Sequence, residues 1–410
     1  MKVVHITTSP KGGAGIAAFR LHSALREAGI SSAYVSNSIT VGFDGEVLDD
    51  PMFTYHKPTF TEKITRKLKK IINPSEADKF RQQLAIIESQ LSFEIITLPY
   101  SSLKLEEHPL ITDADLVHLH WVGNILDYPR FFQKTQKPIV WTLHDMNPFK
   151  GLFHYREDET RNVATKDLNE KLKMIKHDAI GKIKEGAVVS PSEWLLQEAV
   201  TSGVFDSFGI RRTIANSIDV TLFAGIDREH ARESLNLNPS EKVILFTAAK
   251  LDIHRKGLDM LMEALENILH PVTVITLGKG SLQIANKNVK VIPLGYMTNV
   301  IEIAKCYAAA DAFVLPSRED NLPNTMLESL AAGTAVISFA RGGMKEHITT
   351  GENGILVKEM STEKLGEGLN DFLSDRYKFD REAIKKYAMS HFNGAEQAMN
   401  YMEIYKQLIT

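Results

Sequence analysis

The sequence predicts an α/β protein with two doubly wound parallel sheets, and three observations lead to that class. Short apolar runs of strand length alternate with helical patterns over most of the 410 residues. These runs fall into two sets that part near residue 215. One of them, Ala312-Phe313-Val314-Leu315, is apolar throughout, as suits a strand covered on both faces.

Taken in order, the first set has strands at 3–8, 32–36, 116–120, 139–143 and 186–190, with a helix at 16–28. Residues 41–110 fit least well. They hold Pro51, Pro58, Pro74, Pro99 and Pro109, a basic helical pattern at 60–72 and a second helical stretch at 78–92, and they read as an elaboration of the first domain. Residues 214–220 read as a strand turning into a connection, which sets the expected domains at 1–215 and 216–385. The second set has strands at 243–247, 272–277, 289–294, 312–315 and 335–339. The helical C-terminal segment 386–410 can pack on either half and is open to joining the first domain.

Composition narrows the function classes. With 43% hydrophobic and 24% charged residues the chain is an ordinary globular protein, long enough for two or three domains. A formal charge of -3 gives no support to a nucleic-acid surface, so no nucleic-acid partner is expected. Cys306 is the only cysteine, which leaves no intramolecular disulfide and no thiolate metal cluster; it reads as a small buried residue in a helix at 301–309. The first strand runs straight into a glycine loop and leaves no room for a signal sequence, so the expected compartment is the cytoplasm. In 60–72, Phe60, Ile64, Leu68, Ile71 and Ile72 recur at helical spacing among Lys63, Arg66, Lys67, Lys69 and Lys70. That pattern fits either a solvated domain face or peripheral contact with the cytoplasmic side of a membrane.

The most informative segment runs from Pro316 to Gly333. Pro316 ends the strand, Pro323 or Asn324 starts a helix, Leu327, Leu330 and Ala331 keep helical spacing, and Gly333 stops it. Asp320 lies in the loop, and Glu328 lies early in the helix, where side chains lean toward the N-terminus. Ligands of parallel sheets collect at strand carboxyl ends beside helix N-termini, which favour phosphate, while carboxylates accept hydrogen bonds from hydroxyls. A ligand with both groups suits the pair. Taken alone, Asp320 is an ordinary turn residue and Glu328 an exposed helix residue.

Lys250 and Lys256 follow the strand that opens the second set, where they suit a diphosphate and could stabilise charge growing on a departing nucleotide diphosphate. Surface lysines are the plain alternative. Gly12-Gly13-Ala14-Gly15 follows the first strand and opens a helix, letting backbone approach a ligand. The acid that a dinucleotide's ribose would need is absent from Val35-Ser36-Asn37-Ser38, so no dinucleotide is expected. His118 and His120 share a strand face and could pair on a metal with His144 or Asp145, but nothing else supports a metal. His120 is kept as a contact to a sugar hydroxyl or phosphate, and His118 as a structural histidine.

Together these residues resemble the family 4 glycosyltransferases of the GT-B fold. The family's acid, seven residues and glutamate match Asp320 and Glu328, and its two basic residues six apart before glycine match Lys250, Lys256 and Gly257. Leu294-Gly295-Tyr296, Pro316-Ser317, Gly342-Gly343 with Glu346, and Gly351-Glu352-Asn353-Gly354 agree with its donor-binding half over about 243–358. Pro191-Ser192-Glu193-Trp194 and Asn216-Ser217-Ile218-Asp219 are similar in the first half. Trp141-Thr142-Leu143-His144-Asp145-Met146-Asn147-Pro148-Phe149 resembles the bacterial subgroup that builds exopolysaccharide, capsule and O-antigen chains.

The resemblance implies two Rossmann-like domains facing across a cleft and a retaining hexosyltransferase that needs no metal. It would move a hexose from a nucleoside diphosphate sugar to a growing, lipid-linked surface glycan. Glu328 would bind the ribose, Asp320 or Glu319 the transferred sugar, and Lys250 and Lys256 the diphosphate, with Asn321, Leu322 and Asn324 around the donor. Gly12, Gly13 and His120 would approach from the first domain. Asp320 stands where glutamate is usual, Lys250 where arginine is commoner, and Asn321-Leu322-Pro323 replaces a glycine-rich turn. A GT-B epimerase or phosphorylase, and a non-catalytic two-domain sugar-binding protein, remain as alternatives.

Overall fold

The structure is a computed structural model that describes the chain except for residues 55–58, 60, 62–64, 66–71, 281 and 410. The basic pattern expected at 60–72 falls almost wholly outside the described residues. The rest forms two compact units, one of Met1–Pro191, Leu195–Ile214 and Ala398–Thr410, the other of Ser192–Trp194 and Ala215–Gln397. Among the described residues no helix is long and apolar enough to cross a membrane.

The first unit holds strands β1 (Lys2–Ile6), β2 (Ser31–Val35), β3 (Thr40–Val41), β4 (Val47–Leu48), β5 (Leu116–Leu119), β6 (Ile139–Thr142), β7 (Gly186–Ser190) and β8 (Ile210–Thr213). They form one sheet in the order β4-β3-β2-β1-β5-β6-β7-β8. From β2 through β8 neighbours run parallel, with β3 and β4 antiparallel at the edge. The expected helix appears as Gly12–Glu27, packing Leu21 and Leu25 beside Val3, Leu116 and Val140. The last helix, Gly394–Ile409, adds Ala398, Tyr401, Ile404 and Tyr405 to that core. β8 was not expected: its residues Ile-Arg-Arg-Thr are largely exposed and lack the apolar signal. It also shifts the reading of 214–220, since the strand ends at Thr213 and a short helix, Val220–Ala224, follows with Asp219 as its cap.

The second unit holds β9 (Val243–Lys250), β10 (Val272–Lys279), β11 (Val289–Gly295), β12 (Ala312–Leu315), β13 (Ala335–Phe339) and β14 (Gly354–Val357). The sheet is parallel in the order β11-β10-β9-β12-β13-β14. Leu245, Phe313 and Val336 point to one core cluster, and their neighbours Ile244, Val314 and Ile337 to another, so both faces are covered. This is why the β12 run is apolar at every position. The order reverses at β9 and β12, which places the loops after these two strands where open α/β sheets bind ligands.

Candidate functional site

Two groups of side chains gather at strand ends, one in each unit. In the second unit, the loops after β9 and β12 are locked together. Gly257 has φ +70°, and a Cβ there would lie 2.0 Å from the Pro316 carbonyl oxygen. Both facts demand glycine. The Arg318 amide donates to the Arg255 carbonyl at 2.9 Å, and its guanidinium forks onto both carboxylate oxygens of Asp259 at 2.8 and 2.6 Å.

Asp320 is the centre of this group. Its Oδ2 accepts from Lys256 Nζ at 2.6 Å and from Arg255 Nη1 at 3.1 Å, while Oδ1 accepts from the Asn321 amide. The residue is 7% exposed. Burial pushes its pKa up, and the Lys256 ammonium and Arg255 guanidinium outweigh that and hold it below the usual range. Arg255 also donates to the Glu319 carbonyl at 3.1 Å. Sequence reasoning passed over Arg255; a third cation beside the matched lysine carries no spacing signal, and only its burial marks it out.

The helix Asn324–Ala331 starts after Pro323, which supplies no side-chain cap. Its amide end is therefore suited to an anion. Its other end is held by Arg381, which donates to the carbonyls of Ala332 and Ala310 and to Thr334 Oγ1. Glu328 is half-buried on this helix, and its carboxylate lies close enough to Tyr307 to add to the effect of burial in raising the phenol's pKa. Asn321 and Leu322 are less available than the sequence implies. Asn321 Oδ1 accepts from Ser192 Oγ at 2.5 Å, its carbonyl accepts from the Gly343 amide, and Leu322 is 4% exposed in the core. Asn324 accepts from Asn216 Nδ2 at 3.4 Å.

Lys250 is exposed at the end of β9, in register with Lys279 at the end of β10. Both line a groove of about 680 Å³ with Leu251, Ile253 and Met262. Lys279 lies over the Tyr296 ring at 5.4 Å. The structure thus brings Lys256 onto Asp320 and turns Lys250 toward this groove.

In the first unit, Gly12 has φ +81° and Gly13 is exposed at the start of its helix. His120, expected as a contact to a sugar hydroxyl or phosphate, is buried. It is 2% exposed, and both ring nitrogens are taken, Nε2 by His5 Nδ1 at 3.0 Å and Nδ1 by His144 Nε2 at 3.2 Å. His144, the residue after Leu143 at the β6 end, is the partly exposed one. His118 is a core histidine held by Tyr405 and Thr142, each at 2.7 Å.

Behind His144 lies a buried polar network. Asp145 accepts from Trp121 Nε1 and His154 Nδ1 at 2.7 and 2.6 Å and from the Asn147 amide at 2.9 Å. Asn147 is held by Lys176 Nζ, at 2.6 Å to its carbonyl and 3.0 Å to its Oδ1. Burial brings the Lys176 amine down to about 7, with Asp145 opposing the shift. The recess among His120, Trp121, His144, Asp145 and Asn147 holds about 10 Å³, room for about one water molecule.

Residues 241–375 match the family described as Glycosyl transferases group 1. An uncharacterized glycosyltransferase of Methanocaldococcus jannaschii is 30% identical over 154 residues, covering 35% of this chain and 39% of its own. A D-inositol 3-phosphate glycosyltransferase of Catenulispora acidiphila is 27% identical over 219 residues, or 48% and 51% of the two chains. The chain thus spans about half the length of these curated relatives. The Anabaena protein HepE, solved in complex with UDP and glucose, superposes over 100% of both chains with a TM-score of 0.63 at 16% identity. The fold is GT-B, and residues 241–375 carry the pattern of the group 1 glycosyl transferases.

Proposed function

We propose that the protein is a retaining glycosyltransferase, transferring a hexose from a nucleoside diphosphate sugar to a hydroxyl of a growing surface glycan carried on a lipid, without a bound metal. One observation carries this reading: Lys256, Arg255 and Asp320 meet beside the uncapped amide end of Asn324–Ala331, in the segment that matches the group 1 pattern. Cations beside a helix start that has no side-chain cap suit a diphosphate. HepE, with the same fold, is solved with UDP and glucose, which supports a nucleotide sugar. The resemblance of residues 141–149 to exopolysaccharide enzymes supports the glycan acceptor.

In this reading Lys256 and Lys250 hold the diphosphate, and Glu328 takes the ribose hydroxyls. Asp320 orients Lys256 and Arg255 through its charged hydrogen bonds, which leaves Glu319 as the contact to the transferred sugar. In the first unit His144 replaces His120 as the histidine that meets a sugar hydroxyl, because it is the partly exposed one. The anomeric carbon's bond to the phosphate oxygen breaks and its bond to the acceptor oxygen forms. The acceptor's proton passes to the departing phosphate, whose charge the lysines stabilise.

A thermal-shift screen of UDP-, GDP- and ADP-sugars tests the donor. A ligand at 100 times its Kd stabilises the native state by about 2.7 kcal/mol, and Lys256→Ala should abolish the shift. Silence from every nucleotide sugar, or a Lys256→Ala variant that binds and turns over donor like the wild type, would overturn the proposal. NMR of the product's anomeric proton, with and without chelator, tests retention and metal independence.

A further inference from the structure

The ladder between β9 and β10 slips by one residue at its carboxyl end. Leu277 pairs with Thr247, but Lys279 pairs with Lys250. An even ladder would set Lys279 opposite Ala249, so the slip is what brings the two lysines side by side. Two features fix it in place. Gly278, at φ +143°, passes so near the Ala248 carbonyl that a Cβ would lie 1.9 Å from the oxygen. Just beyond it the Leu251 amide donates to the Lys279 carbonyl at 2.9 Å.

Neighbouring strands lie only about 4.8 Å apart, and like charges held opposite one another repel. Among the described residues neither lysine is in an ion pair. Two carboxylates also line the groove: Asp259 is taken by the Arg318 guanidinium, and Asp252 is exposed and bonded to neither lysine. Lys279 Nζ lies instead over the ring of Tyr296, which is 57% exposed just past Gly295. A ring face attracts an ammonium group without occupying its N–H donors in hydrogen bonds. A solvated pair of surface lysines is the plain alternative, but it leaves the slip unexplained, since an even ladder would spare the repulsion.

A ligand with two linked negative charges removes that repulsion. The cations one loop away are already committed in part, because Lys256 and Arg255 share the Asp320 carboxylate. Lys250, assigned above to the diphosphate, faces the groove that it shares with Lys279. Phosphates close enough for Lys250 are therefore within reach of its neighbour on β10.

We infer that Lys279 is a further donor-binding residue, which joins Lys250 in clamping the two phosphates, and that Tyr296 is the positioning residue that holds its amine there. This rests on the reading of Lys250 as a diphosphate contact. Two cations in register match two linked phosphates, whereas a single phosphate engages only one of them. The pair therefore selects nucleoside diphosphate sugars over nucleoside monophosphate sugars as donors.

Calorimetric titration of the full chain with UDP, GDP, ADP, the matching monophosphates and inorganic pyrophosphate tests the clamp. Lys279→Met keeps the length of an exposed side chain and removes its charge. It should raise Kd about tenfold or more for the diphosphate that the wild type binds, and about twofold or less for the matching monophosphate. Lys279→Arg should restore most of the affinity. Pyrophosphate, which has no base to stack, reads the role of Tyr296: Tyr296→Leu should weaken it, and Tyr296→Phe, which keeps the ring face, should not. A diphosphate bound equally by wild type and Lys279→Met, or equal losses for diphosphate and monophosphate, overturns the inference and leaves the donor reading standing. A wild type that binds pyrophosphate through Lys279 and no nucleotide overturns the donor reading and keeps the clamp. Binding of neither overturns both.

Discussion

At the scale of single residues, the site depends on a few positions where geometry leaves no choice. Gly257→Ala would set a Cβ 2.0 Å from the Pro316 carbonyl at φ +70°, and Gly342→Ala would set one 1.8 Å from the Asp320 carbonyl at φ +53°. Each should cost more than about 2 kcal/mol in urea unfolding and loosen the loop that holds Asp320. Asp320→Asn should cost about 3 kcal/mol, since it leaves Lys256 and Arg255 facing a neutral amide, and it should weaken donor binding in the same preparation. Unchanged stability would remove Asp320 from its orienting role. Lys256, Asp320 and Glu328 could be picked out in the sequence by their spacing around strand ends. Arg255 and His144 could not, because what distinguishes them is burial and exposure, which spacing does not encode.

At the scale of elements, the segment after β6 is held from the far side by Lys176 of the helix Lys166–Ile180, 29 residues away from Asn147 in sequence. Lys176→Met should destabilise by about 2 kcal/mol by taking the Lys176 donor from the buried Asn147 carbonyl, while Thr97 Oγ1 still donates to Asn147 Oδ1. The amine also has a pH signature. Its folded pKa, about 7, is below the free-lysine value of about 10.4, so between these values the unfolded chain binds more protons. Its contribution to stability therefore rises with pH from 7 to about 10, and urea midpoints across that range should rise less in Lys176→Met. Apolar strands such as β12 and β13 were legible because burial on both faces writes itself into every residue. The two-residue β3 and β4 and the exposed β8 were not, since pairing at an edge needs no apolar pattern.

At the scale of the whole molecule, acid should be a strong denaturant. His22, His144 and His347 have folded pKa values near 4, and His5, His118 and His120 are also lowered by burial. Below the unfolded value of about 6.5 the unfolded chain takes up protons that the folded chain refuses. Stability is thus full above about pH 6.5 and falls as the pH drops toward 4, on the order of 1–3 kcal/mol for each such ring. Thermal melts from pH 8 to pH 4.5 should show this decline, and a flat profile would refute it. The two sets of strands, and with them the fold class, could be read from the sequence. Side-chain networks joining distant segments could not. One of them ties His118 and Thr142 to the hydroxyls of Tyr405 and Tyr401, so the first unit is completed by residues 398–410. Synthesis is vectorial, and the ribosome makes residues 215–397, nearly all of the second unit, before it makes these. Until they emerge, His118 and Thr142 must find other partners for the bonds that Tyr405 and Tyr401 will make. The unit begun first on the ribosome is the one finished last.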